Sequence, residues 1–331
     1  MSDAMPAADL SILRRRSEIL QTVRNFFLER DYWEAQTPTL CSESVVDAWL
    51  DPLVVPVPGQ IQPRFLQTSP ELNLKRLLAA GAKRVFQIGS VFREGERGRL
   101  HNPEFTMVEW YAIGESYHEQ MDLVTELLRV VFERHSGSAK KTSHVMQSAE
   151  RLTFDEVFTR QFGLPVLGLQ TSELRQLAAD HALSVPEGLS AEDRDGWLNL
   201  LLAECVEPEL GTVCPTFVYD YPASQAALAR IRTGDPCVAE RFELYIDAIE
   251  LCNGYQELTD AGELLDRSHA QNVIRRGSGR APLKPPSQLI QAMEHGLPDC
   301  AGVALGFDRL VMVALGLDRV DEVLAFPWER S

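Results

Sequence analysis

The 331-residue chain is 45% hydrophobic, enough for one large domain or two small ones with a substantial buried core. Its 48 acidic and 32 basic residues leave a net charge of −16, which argues against a broad nucleic-acid groove, because gripping many phosphates takes surplus Lys and Arg. No run approaches ~20 apolar residues and the N-terminus lacks an apolar signal core, so neither a membrane span nor a secretory leader is expected. Cys41, Cys205, Cys214, Cys237, Cys252 and Cys300 form no C-x-x-C pair and no zinc-finger spacing with His, which fits reduced thiols in a cytoplasmic protein.

In chain order, Ile12, Ile19, Leu20, Val23, Phe26 and Phe27 follow helical spacing and predict an amphipathic helix over 10–30. YWEAQTPTL is a short extended piece halted by Pro38. SPELNLKRLLAAG predicts a second helix, capped by Ser69, with Pro70 in its first turn and Gly81 at its exit. Residues 85–93 and 104–111 alternate like strands around a polar loop, 94–103, which predicts an antiparallel hairpin. Residues 136–216 read as a helical, loop-rich insertion, with helices near 171–182 and 191–206. Strands are expected at 216–221 and 241–252, then a helix ending at Gly277, a strand AGVAL and a helix DRLVMVALG. Helices mixed with antiparallel strands give an α+β class, an antiparallel sheet flanked by helices, in a single domain over 1–331. Neither G-x-G-x-x-G nor G-x-x-x-x-G-K-[ST] occurs.

Two segments concentrate chemistry. In FREGERGRLHNPEFTMVEWY (92–111), Arg93 closes the first strand, and period-two alternation puts Phe105, Met107, Glu109 and Tyr111 on one face. An aromatic plane, a carboxylate and a phenol there could stack a base and hold an ammonium, whereas cross-strand pairing with solvated charges would explain each residue singly. In ERFELYIDAIELCNGYQELTD (240–260), Glu243, Glu250 and Glu257 stand seven apart. A turn near Asp247 would bring Glu243 and Glu250 to one site, and an Asn253-Gly254 turn would carry the chain to Glu257. Convergent carboxylates repel unless cations join them, so such a pocket calls for a metal ion or a cationic substrate.

The hairpin resembles motif 2 of the class II aminoacyl-tRNA synthetases, and FR…HNPEFTMVEWY is most similar to the lysyl branch. The first helix with YWEAQTPTL resembles motif 1, the dimer-forming element, and GVALGFDRL resembles motif 3. The resemblance implies a class II catalytic core with ATP as co-substrate, Mg²⁺, and a homodimer. It implies that Arg93 and Arg309 are catalytic, holding the α- and γ-phosphates. Planar guanidinium forks suit phosphate, and fixed cations stabilise charge building on phosphoryl oxygens. Phe105 would stack on adenine, Asn102 would contact the nucleotide, and Gly306 would let it approach the backbone. Glu243 and Glu250, with Leu251 beside them, would serve ATP and its magnesium. Glu257 would bind the side-chain amine of lysine and Glu71 its backbone amine, with Ser69, Pro70, Glu109 and Tyr111 completing the pocket. This branch usually begins motif 2 as Phe-Arg-Asn-Glu, its Glu contacting adenine. Here Gly95 takes the fourth place, leaving Glu94, Glu96 or the backbone at Gly95 to read the base.

Motif 1 begins within the first 40 residues, so no anticodon-reading domain and no extensive tRNA binding are expected. The compact arrangement, with PTFVYDYPASQAALA and ELCNGYQELTDAGE, resembles the elongation factor P lysine ligases, paralogues of lysyl-tRNA synthetase. That implies activation of lysine or (R)-β-lysine and transfer to a lysine ε-amine of elongation factor P. Ala304 stands where tRNA-charging relatives usually have Gly, which could shape the pocket for a β-amino acid. The competing readings are a lysyl-tRNA synthetase-like enzyme acting on tRNA and a non-catalytic relic that binds a partner.

Overall fold

The computed structural model describes residues 4–135, 145 and 147–331. In chain order its elements are α1 (Leu10–Leu28), β1 (Trp33–Glu34), β2 (Leu40–Cys41), β3 (Val54–Val55), β4 (Arg64–Leu66), α2 (Glu71–Ala79), β5 (Arg84–Phe92), β6 (Glu104–Ile113), α3 (Tyr117–His135), β7 (Glu150–Thr153), α4 (Phe154–Phe162), α5 (Thr171–Asp180), α6 (Arg194–Leu201), β8 (Thr216–Pro222), β9 (Ile231–Arg232), β10 (Val238–Ile246), β11 (Ile249–Gln256), α7 (Ala261–Gly277), α8 (Ser287–Glu294), β12 (Cys300–Gly306) and α9 (Phe307–Leu315). They form two compact units, Met1–Thr142 with Gln256–Ser331, and Ser143–Tyr255. Both combine helices with mainly antiparallel strands, as the α+β class requires.

The first unit is built around the expected hairpin. β5 and β6 pair antiparallel from Arg84 opposite Ala112 to Phe92 opposite Glu104. β12 pairs antiparallel with the other edge of β6, and β1 runs parallel to β5. Alternation along β6 separates two environments. Val108 and Trp110 are fully buried on one side, where the Phe27 ring of α1 lies 4.8 Å from Trp110 and stacks on Phe86 at 5.0 Å. Ile19, Val23 and Phe26 complete the buried stripe of α1, and burying each large side chain contributes roughly 1.5–3 kcal/mol. The Trp110 indole N–H is satisfied by Gln120 of α3 at 2.8 Å. The opposite side of β6 carries Glu109 and Tyr111. α2 begins as expected, with the Ser69 hydroxyl accepting the Glu71 N–H at 3.0 Å, although Pro70 takes the cap position itself. β2, β4 and β3 form a small separate sheet.

The second unit pairs β7 with β8 in parallel, and β8–β10 and β10–β11 antiparallel. α4, α5 and α6 bury Phe154, Phe158, Leu174, Ala178, Leu198 and Leu201 in its core. β7 and α4 fall inside the stretch read as a helical insertion, of which 136–144 and 146 lie outside the described residues. The β10–β11 hairpin turns where expected. Asp247 and Ala248 have φ of 51° and 59°, the left-handed pair that a two-residue hairpin turn needs. The turn expected at Asn253-Gly254 is not there. Both residues lie within β11, opposite Glu243 and Phe242. Ladder pairing overrides the Asn-Gly signal, and the Asn253 amide donates to Glu243 instead of closing a turn.

Candidate active site

One turn of α2 and two strands assemble a buried ionic pocket in the first unit. Glu71 and Lys75 stand four apart on α2 and so share a face. The Lys75 ammonium lies 2.6 Å from Glu71 Oε1 and 2.5 Å from Glu257 Oε2. Glu257 follows β11, and its N–H donates to the Cys300 carbonyl of β12 at 2.9 Å. On β6, Glu109 accepts from the Ser69 hydroxyl and from the Tyr111 hydroxyl, both at 2.7 Å. β12 places Ala304 opposite Glu109 and Gly302 opposite Tyr111. The sequence-predicted Ser69, Pro70, Glu71, Glu109, Tyr111, Glu257 and Ala304 are thereby brought together.

The pocket is almost dry: Glu109 and Glu257 are each 1% exposed, Lys75 2% and Glu71 9%. Burial, and then the charge of Glu71, pushes the Glu109 carboxyl up to about 7. Burial also pushes Glu257 up, although the Lys75 ammonium beside it pulls the other way. Burial works against the Lys75 charge as well, but Glu257 and Glu71 outweigh it and hold the ammonium above its ordinary value. Three carboxylates thus share one cation, and a ligand bearing positive charge would relieve them.

Two residues of this pocket escape sequence reasoning. Lys75 is signalled by its place four residues after Glu71. Gly302 is signalled by its place two residues before Ala304 on the same face of β12. A Cβ at Gly302 would lie 2.2 Å from the Tyr111 ring and 2.7 Å from Glu257 Oε1, so only glycine lets that phenol cross the strand.

The cations expected at ATP are tied to one loop. Arg93 follows β5, and its N–H donates to Pro103 O at 2.9 Å. Its guanidinium lies 5.1 Å from the half-buried Phe105 ring and 3.5 Å from Glu96. Its Nε is buried with no hydrogen-bond partner, an unmet donor suited to an anion. Arg309, in the first turn of α9, donates to His101 Nε2 at 2.7 Å. Asp308 is engaged by Arg16 at 2.6 Å and by the Thr106 N–H at 2.7 Å. Gly306 caps α9 opposite Met107. Asn102 is committed at both ends: its amide N–H donates to Glu104 O at 2.6 Å and its oxygen accepts the Trp328 N–H at 2.9 Å, so it braces the loop. Glu94 is exposed, and Gly95 turns the loop with φ +80°. His101 is the loop residue that sequence reasoning did not single out.

In the second unit, Glu243 on β10 is saturated. One carboxylate oxygen accepts the Tyr221 and Tyr245 hydroxyls, each at 2.6 Å, and the other takes Arg241 and, at 3.2 Å, the Asn253 amide. A carboxylate has about four lone-pair sites, and these four donors fill them. Glu243 as arranged therefore does not fit as a direct magnesium ligand. Glu250 is half-buried across the ladder from Tyr245, and Leu251 beside it is buried.

The sequence profile of the class II tRNA synthetases (D, K and N) matches residues 3–330. The chain belongs to this family. Its similar curated relatives include three named elongation factor P–(R)-β-lysine ligase. The one from Vibrio cholerae is 45% identical over 100% of this chain and 99% of its own length. Those from Edwardsiella ictaluri, with 100% of this chain and 99% of the relative covered, and Yersinia enterocolitica, with 98% and 98%, are each 42% identical.

Proposed function

We propose that the chain is an ATP-dependent ligase that activates (R)-β-lysine, or lysine, as its adenylate and passes it to the ε-amine of a lysine on elongation factor P. The observation that carries this reading is the buried trio Glu71, Glu109 and Glu257, short of cations. A pocket so charged favours a substrate with ammonium groups and rejects an uncharged isostere, which would leave buried carboxylates without partners. The relatives' names supply the acceptor and favour the β-amino acid. The place of Ala304, opposite Glu109, supports its role in fitting that substrate.

In the first half-reaction the substrate carboxylate attacks the α-phosphorus of ATP and pyrophosphate leaves. Arg93, with its unmet Nε donor, holds the α-phosphate. Arg309, at a helix N-terminus where anions are favoured, holds the γ-phosphate once it turns from His101. Phe105 stacks on adenine beneath the Arg93 guanidinium. Magnesium carried with the nucleotide would neutralise phosphate charge. In the second half-reaction the acceptor amine attacks the adenylate carbonyl, AMP leaves, and an amide forms. Leu10, Leu28, Trp33 and Leu40, exposed along the motif 1 segment, support a homodimer.

The test is to supply ATP and radiolabelled (R)-β-lysine or lysine with either elongation factor P or tRNA. Label on elongation factor P is expected, and label on tRNA alone would refute the reading. Arg309→Ala should lower amino-acid-dependent pyrophosphate exchange by about 10³-fold in a folded protein.

A further inference from the structure

Activation chemistry assigns no part to Lys75, yet this side chain is 2% exposed and bridges two residues of the amino-acid pocket. We infer that Lys75 is a built-in counter-cation, a positioning residue that neutralises one of the three pocket carboxylates and so leaves the site two positive charges short. Two is the number of ammonium groups on lysine or β-lysine. The inference deepens the proposed function and rests on it.

Geometry supports the role. Lys75 engages one oxygen of each neighbour, Oε1 of Glu71 and Oε2 of Glu257, and each carboxylate has a second oxygen to offer. Its ammonium also lies 5.9 Å from the Tyr111 ring, so it faces the pocket. The charged and titratable groups around it are Glu71 on α2, Glu109 and Tyr111 on β6, Glu257 after β11, and Cys300 at the start of β12. Burial raises the Tyr111 phenol and the Cys300 thiol, so both are neutral near pH 7 and the balance is struck among three carboxylates and one lysine. Without Lys75, three buried carboxylates would face two ammonium groups. The surplus charge would draw a proton, and ammonium binding would then compete with that proton up to a higher pH.

The experiment is pyrophosphate exchange with (R)-β-lysine across about pH 6–9 for the parent enzyme, Lys75→Ala and Lys75→Arg, with folding followed by circular dichroism. Lys75→Gln, which keeps a polar end, replaces the alanine variant if that fails to fold. Loss of the charge should raise the KM for the amino acid by about tenfold or more at pH 7 and move the acidic limb of kcat/KM up by about one pH unit, with the KM for ATP within about twofold of the parent. Lys75→Arg should return the limb toward the parent position, and added propylammonium should partly restore Lys75→Ala. A limb that stays in place in a folded variant, or equal losses for ATP and amino acid, would overturn the inference. No exchange by the parent with either diamino acid would overturn the functional reading beneath it.

Discussion

Two buried acidic sites in this chain handle charge in opposite ways. Glu243 gathers a guanidinium, two phenols and an amide around one carboxylate, so its charge is answered from within the protein. Glu71, Glu109 and Glu257 answer three carboxylates with one lysine, one serine and one tyrosine. The first arrangement is a finished structural network, which rigidifies its hairpin. The second stores an electrostatic deficit, and a stored deficit is what a binding site for a cationic ligand requires. An acidic run in sequence therefore does not by itself mark a ligand site. What marks it is the shortage of donors once the chain has folded.

The contrast can be broken most sharply on stability. Glu243→Gln removes the charge facing Arg241, and losing one partner of such a pair should lower the unfolding free energy by about 3 kcal/mol in urea titrations, even without substrates. In the pocket the larger loss should fall on binding. Glu257→Gln should raise the KM for the amino acid by roughly a hundredfold, about 2.7 kcal/mol, with the KM for ATP little changed in exchange assays. Glu109→Gln should move stability in the other direction. A carboxyl raised to about 7 from 4.5 holds a proton on the folded chain that the unfolded chain has lost, so stability declines as pH rises through that window. Removing the group should therefore stabilise the amino-acid-free protein at pH 8 by ~1–3 kcal/mol in the same titrations, while amino-acid activation weakens. Smaller still, kcat/KM for the amino acid should climb by about tenfold in all between roughly pH 6 and 8, because ammonium binding needs the ionised carboxylates. A flat profile there would erase the distinction between the two sites.

Much of this was legible in the sequence. The stripe Ile19, Val23, Phe26 and Phe27, the alternation along 104–111, and Ser69 ahead of α2 are local signals that tertiary packing reinforces. The polar face of β6 followed from period two alone, and family resemblance supplied the roles proposed for Glu71 and Glu257. What stayed hidden depends on long-range pairing. Asn253-Gly254 reads as a turn until its neighbours are placed opposite Phe242 and Glu243. Lys75 reads as a solvent-facing helix residue until Glu257 arrives from 182 positions away. Gly302 is an ordinary strand glycine until Tyr111 lies across it. The saturation of Glu243 needs Tyr221 from another strand, which no spacing within 240–260 reveals.

Before substrate arrives the pocket holds too few cations, and proton release on binding measures that directly. Titrating (R)-β-lysine into the enzyme at pH 7 by calorimetry, in buffers of different ionisation enthalpy, should reveal the release of about one proton per site as Glu109 and Glu257 ionise against the incoming ammonium groups. Binding with no proton released, or with proton uptake, would contradict it.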